Sequence, residues 1–172
     1  PAISASVRAK PLSPTAVVWA AWDDGAWYVY RVYRRRGLAA RAHGKALMEL
    51  EQGENVLWTP ADPEIFRRIH PVQGEPAVFE STADQYLGSG CRVTPANNDR
   101  KAGMDRVTEF LAPDADRIHP CHLTAPSPRL FILNNPSTKP LVTCLEGLQW
   151  APEARTGNRG SPDDILKRND HE

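Results

Sequence analysis

The sequence lacks an excess of charge of either sign and lacks any long hydrophobic run. Its 172 residues include 21 basic and 21 acidic side chains, so the formal net charge is zero. Many nucleic-acid-binding domains are basic overall, although an acidic catalytic centre can offset a basic groove and leave such a protein neutral. No apolar segment approaches the roughly 20 residues that a membrane-spanning helix needs, and no signal peptide is recognisable. We therefore expect no membrane partner.

Cysteine is also scarce. The three cysteines, Cys91, Cys121 and Cys144, are odd in number and far apart, which argues against a disulfide framework and favours a reducing compartment. His119 and His122 flank Cys121, but a second pair of ligands with zinc-site spacing is missing, so we interpret this segment as a polar loop. No phosphate-binding loop of the Gly-x-x-x-x-Gly-Lys-Ser/Thr type occurs, so the chain is not expected to hydrolyse ATP alone.

The composition that is present, 41% apolar and 24% charged residues, is typical of a soluble globular protein, and residues 1–172 are predicted to form one domain. Two apolar strands are predicted at the start of the chain, with small hydroxyl side chains, Ser4 and Ser6, in the first. The segment "PTAVVWAAW" leads through an Asp-Gly turn into "WYVYRVYRR", which predicts a three-stranded antiparallel meander. Helical spacing from Ala39 to Leu50 and a short strand in "NVLWTPADPE" then indicate a mixed α/β sheet.

The second half continues with short elements of both kinds. Helices are predicted in "DPEIFRRI", "PAVFESTADQYL" and "NNDRKAGMDRVTEFLAP", and again around Leu141, Leu145 and Leu148. Strands are predicted in "CRVTPA" and "RLFILN". Residues 151–167 are rich in proline, glycine, arginine and aspartate and are predicted to form a loop before the closing "KRNDHE".

Two acidic residues are candidates for chemistry. Asp62 stands at the end of an apolar strand, an edge where ligands bind in open α/β sheets, although the local sequence alone favours a simpler role as the cap of the helix that Pro63 opens. Asp170 lies near the start of a possible terminal helix and has the same two interpretations. Carboxylates from separate elements can hold Mg²⁺ or Mn²⁺, and two such ions about 4 Å apart can catalyse phosphodiester cleavage.

Five segments in this order resemble the nuclease domain of tailed-phage large terminases. They are "PTAVVWAAWDDGAWYVY", "WTPADPE", "ANNDRKAGMDRV", "PLVTCLEGLQW" and "KRNDHE", and the likeness extends over nearly the whole chain. The resemblance implies a ribonuclease H-like, resolvase-like fold, in which a mixed sheet opens on an antiparallel three-stranded meander and is flanked by helices. It also implies metal-dependent, two-metal-ion cleavage of double-stranded viral DNA during genome packaging.

In that family one acid ends the first strand, one follows the fourth strand in an Asp-Pro pair, and one lies in an Asp-His segment. Asp62 and Asp170 match the second and third, and Ser4 falls where the first is expected. Ser6 is equally uncharged and does not replace it. A serine removes one negative charge from the metal site, so cleavage is expected to be weak or absent. An engineered change, a naturally degenerate site and a different register remain open as explanations.

Basic residues near this inferred site are candidates for contacts with DNA phosphates, although each would also suit an ordinary exposed loop. They are Arg8, Lys10, Arg100, Lys101, Lys167 and Arg168. The five tryptophans are better explained by core packing than by base stacking.

The resemblance implies double-stranded DNA as the substrate. It also implies an ATPase domain, absent from this chain, a portal and a small terminase subunit as partners in the cytoplasm of an infected bacterium. Two alternatives remain: a DNA-binding or motor-docking module that has lost catalysis, which would bind DNA without cutting it, and a resolvase of the same fold, which would prefer branched DNA.

Overall fold

The computed structural model describes residues 14–68 and 80–147 in full and residues 2–6 as backbone. These residues form a mixed sheet with helices packed against it, which confirms the predicted fold class. The strands are β1 (Ala2–Ser6), β2 (Thr15–Asp23), β3 (Ala26–Arg35), β4 (Val56–Trp58), β5 (Pro60–Ala61), β6 (Thr94–Pro95) and β7 (Leu130–Ile132). The helices are α1 (Ala40–Leu50), α2 (Thr82–Leu87), α3 (Arg100–Leu111) and α4 (Lys139–Glu146), with a 3-10 helix at Pro63–Phe66.

The predicted meander is confirmed. β2 pairs antiparallel with both β1 and β3. The β2–β3 turn places Asp24 at φ 43° and Gly25 at φ 72°, the two positive φ angles that a tight two-residue hairpin turn needs. Because the chain reverses twice, β1 and β3 point in the same direction, and their carboxyl ends lie at the same edge of the sheet.

The remaining strands extend the sheet on both sides of the meander. The strand order is β6-β5-β1-β2-β3-β7, and β4 also pairs with β1. β4 and β5 run parallel to β1, β6 runs parallel to β5, and β7 runs parallel to β3. Every strand except β2 therefore ends at one common edge, which we call the carboxyl edge.

The hydrophobic core lies between the sheet and the helices α1 and α2. Alternate residues of β2 supply Val17 and Trp19, both fully buried, and α1 supplies Leu47. Tyr33 from β3 and Tyr86 from α2 complete its centre. This alternation along β2 is the period of two that a strand with one core-facing side requires.

Two sequence expectations need correction. The predicted helix "PAVFESTADQYL" begins only at Thr82 in the described residues, because Ser81 caps it. The Ser81 hydroxyl accepts from the Asp84 amide (3.1 Å), and the Asp84 carboxylate accepts from the Ser81 amide (2.8 Å). The second correction concerns the tryptophans. Trp19 is buried as expected, but Trp58 is 48% exposed, so core packing does not explain it.

The three cysteines are free, as expected. None of the helices in the described part of the chain is long and apolar enough to cross a membrane. α3 is present, but none of its residues is buried. The predicted loop over 151–167, together with Leu148 and Trp150, lies outside the described residues.

His43 is a buried histidine beside the core, and its burial should make the stability of the protein depend on pH. His43 is 2% exposed, and its Nδ1 lies 2.8 Å from the Tyr33 hydroxyl. Burial, with a smaller contribution from Arg35, lowers the pKa of His43. The unfolded chain, with a histidine pKa near 6.5, therefore binds more protons than the folded chain below about pH 6.5.

We therefore expect the free energy of unfolding to fall as the pH drops from about 7 to about 5, and to fall less in His43→Gln. Urea unfolding at a series of pH values measures this. His122→Gln, at an exposed histidine, serves as the control and should keep the wild-type pH dependence. An equal pH dependence in wild type and His43→Gln would contradict the prediction.

Candidate functional site

The carboxyl edge brings the ends of three neighbouring parallel strands together. Ser6 of β1 pairs with Ala61 of β5, and Ala61 pairs with Pro95 of β6. The Ala96 amide donates to the Ala61 carbonyl (2.8 Å), which extends this alignment by one residue. Asp62 therefore leaves the sheet between the ends of β1 and β6. Ligands bind at such an edge in open α/β sheets.

Asp62 makes the capping interaction that its position before Pro63 predicts. Its Oδ1 accepts from the Glu64 amide (2.8 Å), and its carbonyl accepts from the Ile65 amide (3.1 Å). The side chain is half-buried, and within the described part of the chain no hydrogen bond engages its Oδ2. A carboxylate has lone pairs enough to cap a helix with one oxygen and to bind a cation with the other, so the two interpretations of Asp62 are compatible.

The strand register distinguishes the two serines of β1. Ser4 lies in the middle of the strand, opposite Trp19 of β2. Ser6 is the last residue of the strand and lies opposite Ala61, the residue that precedes Asp62. Because paired strands are about 4.8 Å apart, the backbone at Ser6 is the nearer of the two to Asp62. The prediction that Ser4 occupies the position of the first acid is untested, and the register favours Ser6.

Most of the other predicted site residues lie outside the described residues, namely Asp170, Lys167, Arg168, Arg8 and Lys10. Arg100 and Lys101 are described, and they are exposed in the first turn of α3. α3 begins after β6 at the carboxyl edge, where Asp99 caps it by accepting from the Ala102 amide (3.1 Å). The topology thus places Arg100 and Lys101 at the same edge as Asp62.

A basic segment at this edge is absent from the sequence-based candidates. Arg34 and Arg35 end β3, Arg36 follows directly, and all three are exposed. The sequence does indicate where this segment lies, because the third strand of a meander runs in the same direction as the first. Three consecutive arginines at the end of that third strand must therefore lie at the edge that carries Asp62.

The metal-ligand chemistry available here is incomplete. The described residues include no group of three or more His, Cys, Asp or Glu side chains that could hold a metal ion. Asp62 offers the carboxylate oxygen that Mg²⁺ and Mn²⁺ prefer, so it fits as one ligand of such a site. The His119–His122 segment is a polar turn, as predicted, in which His119 Nδ1 accepts from the Cys121 and His122 amides (3.1 Å each).

The fold is similar to that of solved large terminases. The nuclease domain of the bacteriophage SPP1 large terminase with bound Mn superposes over 99% of this chain and 79% of its own, with a TM-score of 0.64 at 11% identity. The P22 large terminase nuclease domain gives a TM-score of 0.56 at 17% identity, over 99% of this chain and 74% of that one. These likenesses confirm, at the level of the fold, the resemblance that the sequence segments indicated.

A longer solved structure shows how much of a complete large terminase the likeness covers. The large terminase of a thermophilic bacteriophage, in complex with ATP-gamma-S, gives a TM-score of 0.63 at 15% identity, and the likeness covers 99% of this chain and 36% of that one. The chain therefore spans about a third of that protein. No protein-family profile and no curated protein sequence matches the chain.

Proposed function

We propose that this chain is the nuclease domain of a large terminase and that it cleaves double-stranded DNA with divalent metal ions during packaging of a viral genome. The observation that carries the proposal is the position of Asp62, at the carboxyl end of β5 and beside the end of β1. The similarity in fold to a nuclease domain crystallised with Mn supports it. An ATPase domain, a portal and a small terminase subunit would be the partners of the complete protein.

In this proposal Asp62 and Asp170 hold the metal ions, which would be Mg²⁺ or Mn²⁺. When bound, such ions supply the positive charge that activates water and stabilises the leaving oxygen in phosphodiester hydrolysis. The protein positions its ligands through the sheet. The Asp62 backbone is fixed by the β5 pairings on both sides, and its side chain is oriented by the hydrogen bond from the Glu64 amide.

The uncharged end of β1 lowers the expected activity. The family resemblance implies a carboxylate at the position of Ser4, and neither Ser4 nor Ser6 carries a charge, so the site would attract divalent cations less strongly. We propose that this chain, with serine at both positions, binds divalent metal ions weakly and cleaves DNA slowly. The two alternatives are a DNA-binding module without catalysis and a resolvase with a preference for branched DNA, and plasmid nicking with Mn²⁺ binding distinguishes them.

Asp62→Asn is expected to abolish metal-dependent nicking of supercoiled plasmid. Asparagine caps a helix as well as aspartate does, so this variant keeps the bond from the Glu64 amide and removes only the charge. Loss of a metal ligand should reduce cleavage by at least about 100-fold, since even residues that merely support a ligand cost roughly 10- to 100-fold. Nicking is measured with Mn²⁺, Mg²⁺ or chelator.

Asp114→Asn is the matched control. Asp114 is half-buried, and its Oδ1 accepts from the amide two residues later (3.2 Å), as that of Asp62 does. It should cut like wild type. Because the wild-type rate is expected to be low, broadening of amide NMR signals by Mn²⁺ gives a second readout. Broadening around Asp62 that disappears in Asp62→Asn supports the metal site, whereas DNA binding without broadening or cleavage supports the binding module. Faster cleavage of branched DNA than of linear DNA would support the resolvase.

A further inference from the structure

The opposite edge of the sheet, which we call the amino edge, carries a second surface. β2 ends there at Asp23, and β3 and β7 begin there, because β2 runs antiparallel to β3 and β7 runs parallel to it. The helix α3 also ends at this edge, since the Arg129 amide, directly before β7, donates to the Phe110 carbonyl (2.8 Å). Asp62 leaves β5 at the carboxyl edge, so the two surfaces lie at opposite ends of the strands.

A closed loop, residues 114–127, lies against the β2–β3 turn at the amino edge. Asp114 and Ser127 form its neck, because the amide of each donates to the carbonyl of the other (2.9 and 3.1 Å). Arg117, whose side chain is mostly buried, lies 3.8 Å from the Asp24 carboxylate in the turn. The loop is thus fixed both at its neck and against the turn, and its surface is preformed.

Large apolar side chains stay exposed around this contact. Trp22 is 37% exposed, although its ring lies 4.9 Å from that of Trp27 and 6.3 Å from that of Phe110, measured between centroids. Ile118 on the loop is 62% exposed, and Leu111 at the end of α3 is half-exposed. A single exposed apolar residue is ordinary, but a group of them rimmed by polar residues marks an interaction site. A tryptophan is a frequent anchor at the centre of such sites.

The charge of this surface is negative. Its carboxylates are those of Asp23, Asp24, Glu109, Asp114 and Asp116. Three arginines oppose them: Arg106 and Arg129 lie beside Glu109 (2.7 and 3.9 Å), and Arg117 lies beside Asp24. Five carboxylates against three guanidinium groups leave two negative charges in excess. The neutral chain is therefore polarised, because the arginine segment that ends β3 lies at the opposite edge.

We propose that the amino-edge surface, defined by Trp22, Asp24, Leu111, Asp116 and Ile118, binds a basic amphipathic segment of a partner protein. The three apolar side chains receive the apolar face of that segment, and the two carboxylates pair with its lysine or arginine side chains. An apolar centre with a charged rim is the usual composition of a protein interface, and complementary charge selects the partner. Duplex DNA and anionic lipid surfaces are repelled by the excess negative charge.

A second copy of this chain is the nearest rival occupant, because its carboxyl edge is basic. A contact between the amino edge of one copy and the carboxyl edge of the next is heterologous, so it builds rings or open chains rather than a two-fold dimer. Such a contact would also cover Asp62 in every copy but the last of an open chain. A separate protein partner leaves that edge accessible, and we therefore prefer it.

Three labelled synthetic peptides of equal length test the proposal through equilibrium binding to the full chain. The first carries lysine and leucine at helical spacing, the second has serine in place of each leucine, and the third has glutamate in place of each lysine. The lysine–leucine peptide should bind at one site per chain and at least about 10-fold more tightly than the lysine–serine peptide, because burial of apolar surface adds to the attraction of charge. The glutamate–leucine peptide should not bind.

Two variants of the surface should weaken binding of the lysine–leucine peptide. Asp24→Asn/Asp116→Asn should weaken it roughly 3- to 10-fold and reduce its dependence on salt, since each exposed ion pair contributes little and is screened. Asparagine also suits the positive φ of residue 24 (43°), so the turn is kept. Ile118→Ser should weaken binding by about 10-fold through loss of apolar contact.

Matched controls lie on the side of the sheet that carries α1 and α2. Glu49→Gln/Glu80→Gln makes the same change in net charge, and Leu87→Ser removes an exposed leucine at the end of α2. Both controls should bind the lysine–leucine peptide like wild type. Circular dichroism before each series verifies that the variants are folded, so a loss of binding is not a loss of structure.

The indole N–H signal of Trp22 in NMR spectra locates the bound peptide. It should shift during titration, whereas that of the buried Trp19 should not. Equal binding of the lysine–leucine and lysine–serine peptides, equal losses in surface and control variants, or no binding would overturn the proposal. Self-association of the free chain in sedimentation velocity that Asp24→Asn/Asp116→Asn abolishes would overturn it in favour of a second copy.

This proposal and the proposed function can fail separately. Peptide binding is measured in excess chelator and reports on the amino edge, whereas metal-dependent nicking and Mn²⁺ broadening report on Asp62 at the carboxyl edge.

Discussion

Ser6→Asp is expected to increase metal-dependent DNA cleavage by about 100-fold or more and to tighten Mn²⁺ binding. The substitution adds a carboxylate at the end of β1, opposite Ala61 and next to the strand end that carries Asp62. Two carboxylates from adjacent parallel strands can share a divalent ion, because the strands are only about 4.8 Å apart. The magnitude follows from the roughly 10- to 100-fold cost of losing even a residue that only supports a metal ligand.

Ser4→Asp is the comparison that decides the register. It adds the same charge to the same strand two residues earlier, opposite Trp19 rather than beside Asp62. We expect it to raise cleavage much less than Ser6→Asp. Plasmid nicking measures the rate for both variants, and calorimetric titration with Mn²⁺ measures their affinity. The combined variant Ser6→Asp/Asp62→Asn should lose the gain and cut no faster than wild type.

The contrary outcomes are informative in different ways. Greater activity in Ser4→Asp than in Ser6→Asp would support Ser4 as the position of the first acid and would contradict the inference from the register. If neither folded variant cleaves DNA or binds Mn²⁺, the catalytic role of Asp62 loses its support, and a DNA-binding module becomes the better explanation.

The difference between Ser4 and Ser6 illustrates what the sequence alone could not determine. The existence of the meander follows from local signals, namely alternation along β2 and the Asp-Gly turn, and both act within a few residues. The pairing of β1 with β5 joins residues that are far apart in the chain. A shift of two residues keeps every side chain on the same face, so the hydrophobic pattern cannot choose between these two registers.

Helix caps were also easier to predict from the sequence than the solvent exposure of individual side chains. The Ser81–Asp84 capping box is visible in the sequence as a serine three residues before an acid, and it would have placed the start of α2 correctly. Trp58 has the same strand-like surroundings in the sequence as Trp19. Only the assembled sheet distinguishes them, because Trp19 faces α1 and α2 in the centre of the sheet, whereas Trp58 lies on the three-residue strand β4.

Trp19→Ala is expected to lower the free energy of unfolding by about 3–5 kcal/mol, which is the usual cost of emptying a buried tryptophan site. Trp19 is fully buried in the core, and its Nε1 donates to Glu51 Oε1 (2.9 Å). Burial raises the pKa of Glu51, and the bond from Trp19 opposes that rise. The substitution therefore both creates a cavity and removes a hydrogen bond from a partly buried carboxylate.

Trp19→Phe and Trp58→Ala separate these contributions. Trp19→Phe keeps most of the ring volume and loses the N–H group, so a cost of about 1–2 kcal/mol is expected. Trp58→Ala removes a side chain of the same size from a half-exposed position, and it should cost much less than Trp19→Ala. Guanidinium unfolding followed by far-ultraviolet circular dichroism measures all three without relying on tryptophan fluorescence.

The comparison of Trp19→Ala with Trp58→Ala also tests the support of the candidate site. If the two variants lose equal amounts of unfolding free energy, the core is not centred on β2. The packing of α1 and α2 against this face of the sheet would then also be contradicted. A larger loss for Trp19→Ala would instead show that packing on β2 stabilises the sheet. The carboxyl edge depends on that packing, because β2 lies between the strand that carries Ser6 and the strand that carries Arg34 and Arg35.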